Sequence, residues 1–506
     1  MCIRDSVSGI NVATNFGVVD FFVVRGFDSL DTGLVLTDGA FEPESTFYQL
    51  YNVQQVEVLK GPSAFLYGGY PLSGTVNLTR KQPLATKFAN FDFSYGSFNT
   101  VRGMADFNIS KPDGQVAFRL NALYNGSDFY RDDKTNRLAA VNPSLTVRLN
   151  EKTPLTVNFE YVDNEFKPDS GLPLVNNELP DVPRTRSYQT PVDISDQEIY
   201  RFRVDLDSEI SPWLTVRNKF YFTDQAWKSD GTLLAGTFPD GFGSVQIIRS
   251  LLLLDDRQKV LGNQFEGLFS LNTGSVEHNL LTGFEARRLT DVFTLDAALL
   301  PTIDLYNPVE TVSEPLFIIP GQSTAADART NTVGVYFVDQ LTVSEKLQLF
   351  VGGRLDVMDY EDQVTTTLRD ASEFSPMLGA VYSPVQDWSI YANFGRAFAP
   401  PSSRVVGERE PEKSRQIEVG VKKSLASQNG LVSFAVYDLE RENIGIPDAN
   451  GFTQQAGNQR SRGVEIEMGV EACSGWWTNA SYAFNDSELT RFSEMIFTGR
   501  EPPFVV

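Results

Sequence analysis

The stretch "LQLFVGGRLD", Leu347 to Asp356, decides the fold. On an extended chain Leu347, Leu349, Val351 and Leu355 fall on one face, and Gln348, Gly352, Arg354 and Asp356 on the other. A period of two rather than 3.6 marks a strand whose two faces meet different surroundings. "WSIYANF" repeats it, with Trp388, Ile390, Ala392 and Phe394 alternating with Ser389, Tyr391 and Asn393. From about Phe88 onward the chain reads as about seventeen such segments.

The connections between segments discriminate among β folds. Tight polar turns recur at "KPDG" (Lys111–Gly114), "NEKT" (Asn150–Thr153), "EISP" (Glu209–Pro212) and "NTGS" (Asn272–Ser275). They continue at "VSEK" (Val343–Lys346), "PVQD" (Pro384–Asp387), "SQNG" (Ser427–Gly430) and "ACSG" (Ala472–Gly475). Between them lie long connections: Glu165–Ser195, Trp227–Ser244, Thr290–Thr330, Tyr360–Ser375 and Pro400–Glu412. A soluble sandwich also alternates, but an antiparallel meander trimmed at one end and elaborated at the other is the pattern of transmembrane barrels. A spanning strand needs roughly 9–11 residues, and Val245–Leu271 is long enough to project beyond the membrane. The 37 Phe and 18 Tyr suit a lipid-facing band with aromatic girdles.

Composition narrows the function classes. With 43 basic against 65 acidic residues the net charge is −22, which repels nucleic acid. No apolar run approaches the roughly 20 residues of a membrane helix. Cys2 and Cys473 form no CxxC and no Cys/His cluster, so no metal site is expected. The single histidine, His278 in "SVEHNLL", follows a short turn and reads as structural. No nucleophile–base pair is written in the chain, so no catalytic residue and no enzyme activity is expected.

Before Phe88 the texture changes. "FFVVRGF" (Phe21–Phe27), "LVLTDGAF" (Leu34–Phe41) and "VEVLKGPSAFLYGGYPLSGTVNLTRKQP" (Val56–Pro83) are short strand-and-turn units dense in glycine. The last has no Gly-Lys-Ser/Thr and no following helix, so it is not a phosphate loop. Residues from about 7 to 83 read as a compact mixed domain ahead of the barrel.

These segments, with "FSPMLGAVYSP", "SIYANFGRAFAPP", "RQIEVGVKK" and "NQRSRGVEIEMGVEACSGWWTNASYAFND", stand in an order and spacing that resembles the TonB-dependent outer-membrane receptors, in particular the ferric-siderophore receptors. The resemblance covers about Gly9 to Asp486. It implies a transmembrane antiparallel β-barrel of the 22-strand family, about 17 strands of it present, with an N-terminal α/β plug domain in the lumen. Residues 7–83 would be the plug and 84–506 the barrel. It further implies binding of a ferric siderophore at the surface of a Gram-negative bacterium and import to the periplasm, with energy from TonB and its inner-membrane complex. The partners are then the siderophore, TonB and outer-membrane lipid, for a monomer with no cofactor beyond the iron–siderophore ligand. Met1–Ser6 reads as foreign sequence and "GREPPFVV" as a loop entering an unfinished strand. The chain is therefore expected to be cut at both ends, without the signal peptide, the TonB-contacting box, the first part of the plug and about five strands.

Face and depth select the candidate residues. Ile417, Val419 and Val421 form an apolar face, so Glu418 points into the lumen; Val464, Ile466 and Met468 do the same for Glu465, with Glu467 beside it. The resemblance places a plug–barrel charge lock at Arg25, Lys60, Glu418 and Glu465, against the plainer reading of wetted lumen charges. Lys60 stands where many relatives carry arginine and lacks its two-pronged fork, which would weaken the lock. By the same resemblance the plug's outward loops are Asp28–Gly33 and Phe41–Tyr48, so Asp31, Thr32, Phe41, Glu42, Phe47 and Tyr48 are the ligand-binding candidates, with Glu44 nearby. The aromatics among them would equally pack the plug against the wall. Cobalamin, haem and carbohydrate are alternative cargoes, haem disfavoured by the placement of His278. A passive porin is disfavoured by the domain before Phe88, and a surface protein acting in adhesion stays open.

Overall fold

The structure, a computed structural model, describes residues 8–492 apart from 16–18, 29–34, 44–47, 311–313, 401–409, 426–428, 448–452 and 474. Its first part is strands β1 (Ile10–Asn15), β2 (Val19–Val24), β3 (Phe27–Asp28), β4 (Val35–Thr37), β5 (Ala40–Phe41) and β6 (Val53–Lys60), one helical turn α1 (Ala64–Tyr67), and β7 (Gly74–Arg80). They make two small sheets, β1-β2-β3 and β5-β4-β7-β6, with β4 and β7 parallel. Ile10, Phe22, Val24, Val76 and Leu78 are buried together between them.

Among the described residues seventeen strands follow, each antiparallel to the next in sequence and ordered around a closed barrel. They begin with β8 (Phe88–Gly96), β9 (Thr100–Ser110), β10 (Val116–Ser127), β11 (Asn136–Asn150), β12 (Thr153–Phe166) and β13 (Ile194–Ser211). Next come β14 (Leu214–Pro239), β15 (Val245–Thr273), β16 (Val276–Asp304), β17 (Phe317–Ser344), β18 (Leu347–Asp362) and β19 (Thr367–Tyr382). The series ends with β20 (Trp388–Ala399), β21 (Glu412–Leu425), β22 (Gly430–Pro447), β23 (Thr453–Cys473) and β24 (Trp476–Phe492). Alternation sorts β18 as the sequence suggests, with Val351 and Leu355 exposed outward while Arg354 and Asp356 are buried inward.

All eight tight turns join consecutive strands at one end of the barrel. At the other end, three of the connections expected to be long loops are largely strand. Trp227–Ser244 is taken up by β14, Thr290–Thr330 mostly by β16 and β17, and Tyr360–Ser375 by β18 and β19. A backbone leaving the rim still needs partners for its N–H and C=O groups, and a continuing hairpin supplies them at once. β15 and β16 reach 29 residues each, about three times the roughly 9–11 that a spanning strand needs. Only the segment between Phe166 and Ile194 remains a long described connection.

The first domain fills the lumen. Ala40, Phe41 and Tyr70 pack with Tyr221, Val260 and Leu289. Tyr51 packs with Leu123, Leu138, Ala140, Val162 and Ile199, Ala64 and Leu72 with Ala397 and Ala399, and Phe27 with Tyr437 and Leu439. These partners are spread around the wall, so the domain is wedged rather than leaning on one side. The "KGP" turn runs so close to β21 that a Cβ at Gly61 (φ 90°) would collide with the Gln416 amide.

One device recurs in the wall. Among the described residues, four inward tyrosines lie across a glycine directly opposite on a neighbouring strand: Tyr221 on Gly262, Tyr336 on Gly283, Tyr391 on Gly420 and Tyr437 on Gly463. The missing side chain lets the ring lie flat along the sheet, an aromatic cover for a strand glycine. Gly283→Val should therefore displace the Tyr336 ring and destabilise the barrel by about 1–3 kcal/mol. In urea titrations of the detergent-folded chain, Gly283→Val combined with Tyr336→Ala should cost less than the two single changes added together.

Candidate functional site

The turn between β2 and β3 puts Arg25 in a left-handed conformation (φ 54°), with its N–H donating to the Gly9 carbonyl at 2.8 Å. So fixed, its side chain leaves the plug and enters the wall. Arg25 Nε and Nη2 meet the two oxygens of Glu465, each at 3.0 Å, and Nη1 meets Glu418 Oε2 at 2.8 Å. Nη1 also donates to Gln416 Oε1 at 2.8 Å, and the guanidinium lies 4.1 Å from the Tyr437 ring centroid. Tyr391 donates its hydroxyl to Glu418 Oε1 at 2.8 Å. Two of the four glycine-covering tyrosines thus hold this site in place.

Lys60, at the end of β6, reaches Glu465 Oε2 at 3.0 Å and Glu467 Oε1 at 2.8 Å, and donates to Ser8 Oγ at 3.0 Å. Ser8 in turn donates to Glu467 from both its N–H and its hydroxyl. The four residues singled out for a charge lock are therefore brought together, and Glu467 joins them. Burial works against the charge on Arg25, and Glu465 and Glu418 outweigh it, so its pKa rises above the ordinary guanidinium value.

A second cluster, across the lumen, has the opposite polarity where plug meets wall: Glu42 and Asp38 of the plug face Arg201 and Arg203 of the wall, with Arg80 of the plug and Glu160 of the wall beside them. Glu42 is 1% exposed, with Arg201 Nε at 2.9 Å from its Oε2 and Arg203 Nη2 at 3.0 Å from its Oε1. Asp38 accepts from the Arg80 N–H and from Arg80 Nε, both at 2.7 Å, and Arg203 Nη1 stands 3.7 Å from it. Arg201 also reaches Glu160 at 3.1 Å, and Glu160 accepts from Tyr51 and Asn52 of the plug. Burial pushes the Asp38 and Glu42 carboxyls up. Arg80 and Arg203 for Asp38, and Arg201 and Arg203 for Glu42, more than offset it and hold both below the usual carboxylate range.

The ligand candidates separate by position. Phe41 is buried against Tyr70, with the Arg287 guanidinium 4.1 Å from its ring centroid, and Glu42 is engaged by the wall as above. Tyr48 lines an open cavity beside β9–β12. Asp31, Thr32, Phe47 and the neighbouring Glu44 lie outside the described residues. His278, at the short-turn end of β16, sits 2.8 Å from Asp339. Sequence reasoning missed Arg201 and Arg203 as partners of the plug. The signal was present in "YRFRVDL", where both arginines occupy the same face of the strand.

Comparison with known proteins accords with this architecture. The family described as TonB dependent receptor-like, beta-barrel matches residues 140–506, and the TonB-dependent Receptor Plug Domain matches residues 2–75. The metal-pseudopaline receptor of Pseudomonas aeruginosa is 27% identical over 466 residues, covering 87% of this chain and 64% of that protein. The chain thus spans less than two thirds of the length of this relative. The ferrichrome outer membrane transporter/phage receptor of Escherichia coli is 26% identical over 547 residues, covering 98% of this chain and 71% of that one. In fold, the ferric-catecholate import receptor Fiu of Escherichia coli in its closed form superposes with a TM-score of 0.84 at 22% identity, covering 96% of this chain and 76% of that one.

Two outcomes follow from the charge clusters. Arg25→Met leaves Glu418 a buried carboxylate with no cation and Glu465 with Lys60 alone, and should cost about 3–5 kcal/mol, read as a lower urea midpoint and faster amide exchange in β2 and β3. Lys60→Met should cost less, because its partner Glu467 is partly exposed. Asp38 and Glu42 hold protons less readily folded than unfolded, so their stabilisation is complete above the ordinary carboxylate pKa and is lost as pH falls through the folded values. The urea midpoint should accordingly be level from neutral pH to about 4 and fall below it; a midpoint unchanged well into acid would show that these pairs contribute nothing.

Proposed function

The chain belongs to the TonB-dependent receptor family, and on that premise we propose that it binds a ferric siderophore at the outer face of the outer membrane and imports it to the periplasm with TonB-supplied energy. The observation that carries this reading is the lumen-filling plug, held to opposite walls by buried ion pairs of both polarities. A barrel so closed admits nothing by diffusion, and its cargo passes only when the plug is moved. In the proposed cycle the Arg25 and Lys60 contacts to Glu418, Glu465 and Glu467 are the lock that TonB's pull on the plug must open. The cycle makes and breaks no covalent bond, and the protein acts as a monomer in lipid, with TonB and its inner-membrane complex as partners.

The test is iron-restricted growth of a Gram-negative host stripped of its own siderophore receptors. Expression of the receptor should restore growth on a ferric siderophore, and deletion of the host TonB system should abolish it. Restored growth without TonB, together with swelling of receptor-containing liposomes in small sugars, would replace this reading with a passive pore.

A further inference from the structure

At the end of the barrel opposite the eight tight turns, a cavity of about 590 Å³ opens between the plug and β9–β12, within the range that small-molecule sites occupy. Leu123 and Leu138 line it from the wall, Tyr48 and Gln49 from the plug, and Phe129 and Phe166 add aromatic surface. Its charge is the reverse of the chain's. Arg102, Lys134 and Lys167 line it against one carboxylate, Asp169, which is already paired with Arg131 at 2.8 Å. In a protein of net charge −22, a concave surface with surplus cations focuses an attractive field for anions.

The three cations are uncommitted in charge. Among the described residues, none of them forms an ion pair. Lys134 is 4% exposed and its ammonium donates to the Pro168 carbonyl. Lys167 reaches the Pro191 carbonyl at 3.5 Å, and Arg102 Nη2 lies 3.3 Å from the Met104 sulfur. Burial draws the Lys134 pKa down to about 8, against the pull of Asp193 and Asp169, so the group keeps most of its charge at neutral pH while lacking a close counter-ion. Asp132 and Asp133, on the same loop, are exposed and lie outside the lining.

A further polar demand is set by Asn164, which is 7% exposed and lines the same cavity. Its amide nitrogen donates to Gln197 Oε1 at 2.9 Å, and its Oδ1 meets no donor among the described residues. A buried acceptor of this kind calls for an N–H or O–H from whatever occupies the space.

We propose that this cavity receives the ferric chelate and selects one that is anionic, carries aryl rings and presents at least one N–H or O–H donor, as an amide-linked ferric catecholate does. The inference rests on the import reading above and names its substrate class. Aryl rings stack on Phe129, Phe166 and Tyr48, the cations answer the negative iron centre, and Asn164 takes the donor. A neutral ferric tris-hydroxamate without aryl groups would use none of the surplus charge.

Calorimetric titration of the detergent-purified receptor with two probes decides the matter: an anionic amide-linked ferric tris-catecholate and a neutral ferric tris-hydroxamate. The catecholate should bind at least about tenfold more tightly, and the pair Arg102→Gln and Lys167→Gln should weaken it by about tenfold or more while leaving the urea midpoint unchanged. Equal affinity for both probes, or a double variant that keeps full catecholate affinity, overturns the proposal. Tight hydroxamate binding with weak catecholate binding overturns the selectivity and leaves siderophore import standing. Failure of both probes, with the folded receptor intact, overturns the proposal and leaves the import reading to the growth test.

Discussion

The constraint on which the rest depends is that a charge facing the lumen of a filled barrel has no water to fall back on. Arg25, Glu42, Glu465, Arg201 and Arg203 are all nearly inaccessible. An unpaired charge in such a place is strongly destabilising, whereas a paired and hydrogen-bonded one is tolerated. Plug and wall must therefore present complementary charges at matching positions. That requirement fixes how the plug is rotated and how deep it sits. Apolar contacts such as Phe27 with Tyr437 and Leu439 are less directional and would accept small shifts.

Opposite polarity at the two clusters sharpens this. Turning the plug to exchange its two charged sides would place Arg25 against Arg201 and Arg203, and Glu42 against Glu418 and Glu465. Like charges buried together would then oppose the wrong orientation, not merely fail to favour it. The tyrosine-over-glycine pairs serve the same end. Tyr391 and Tyr437 can lie close beside Glu418 and Arg25 because Gly420 and Gly463 leave room beneath their rings.

Much of this was legible in the residues. Period-two alternation assigned Arg354, Asp356, Glu418 and Glu465 to the lumen, because one face in lipid forces the other inward. The eight tight turns were legible because short polar runs between apolar segments leave a hairpin few alternatives. What was legible only in part was height: Val245–Leu271 was expected to project, but not the neighbours that project with it. Strands β14 to β19 run on past the expected rim, since composition marks where lipid ends but not where a ladder stops. Glu42 was equally opaque. Its position after "DGAF" suggested an outward loop, and only the fold brings "YRFRVDL", about 160 residues later, against it. The two arginines on one face of "YRFRVDL" mark a demand for anions, but neither segment says which anion answers it.

Buried ion pairs also bear on how a plug so well seated could move at all. Measured against hydrophobic substitutes of similar shape, such pairs contribute little net stability, because desolvation of both partners nearly cancels their attraction. The same cancellation holds in reverse when they separate into water. If the plug shifts and water enters the lumen, Arg25, Lys60 and the three glutamates recover hydration as they lose one another. The state without water and without partners is the one to avoid, and a polar wall wetted as the gap opens avoids it. The pairs thus specify the closed arrangement strongly while adding little to the free-energy difference between closed and hydrated forms. A lock built of apolar contacts alone would invert this: it would specify orientation weakly and resist wetting throughout the movement.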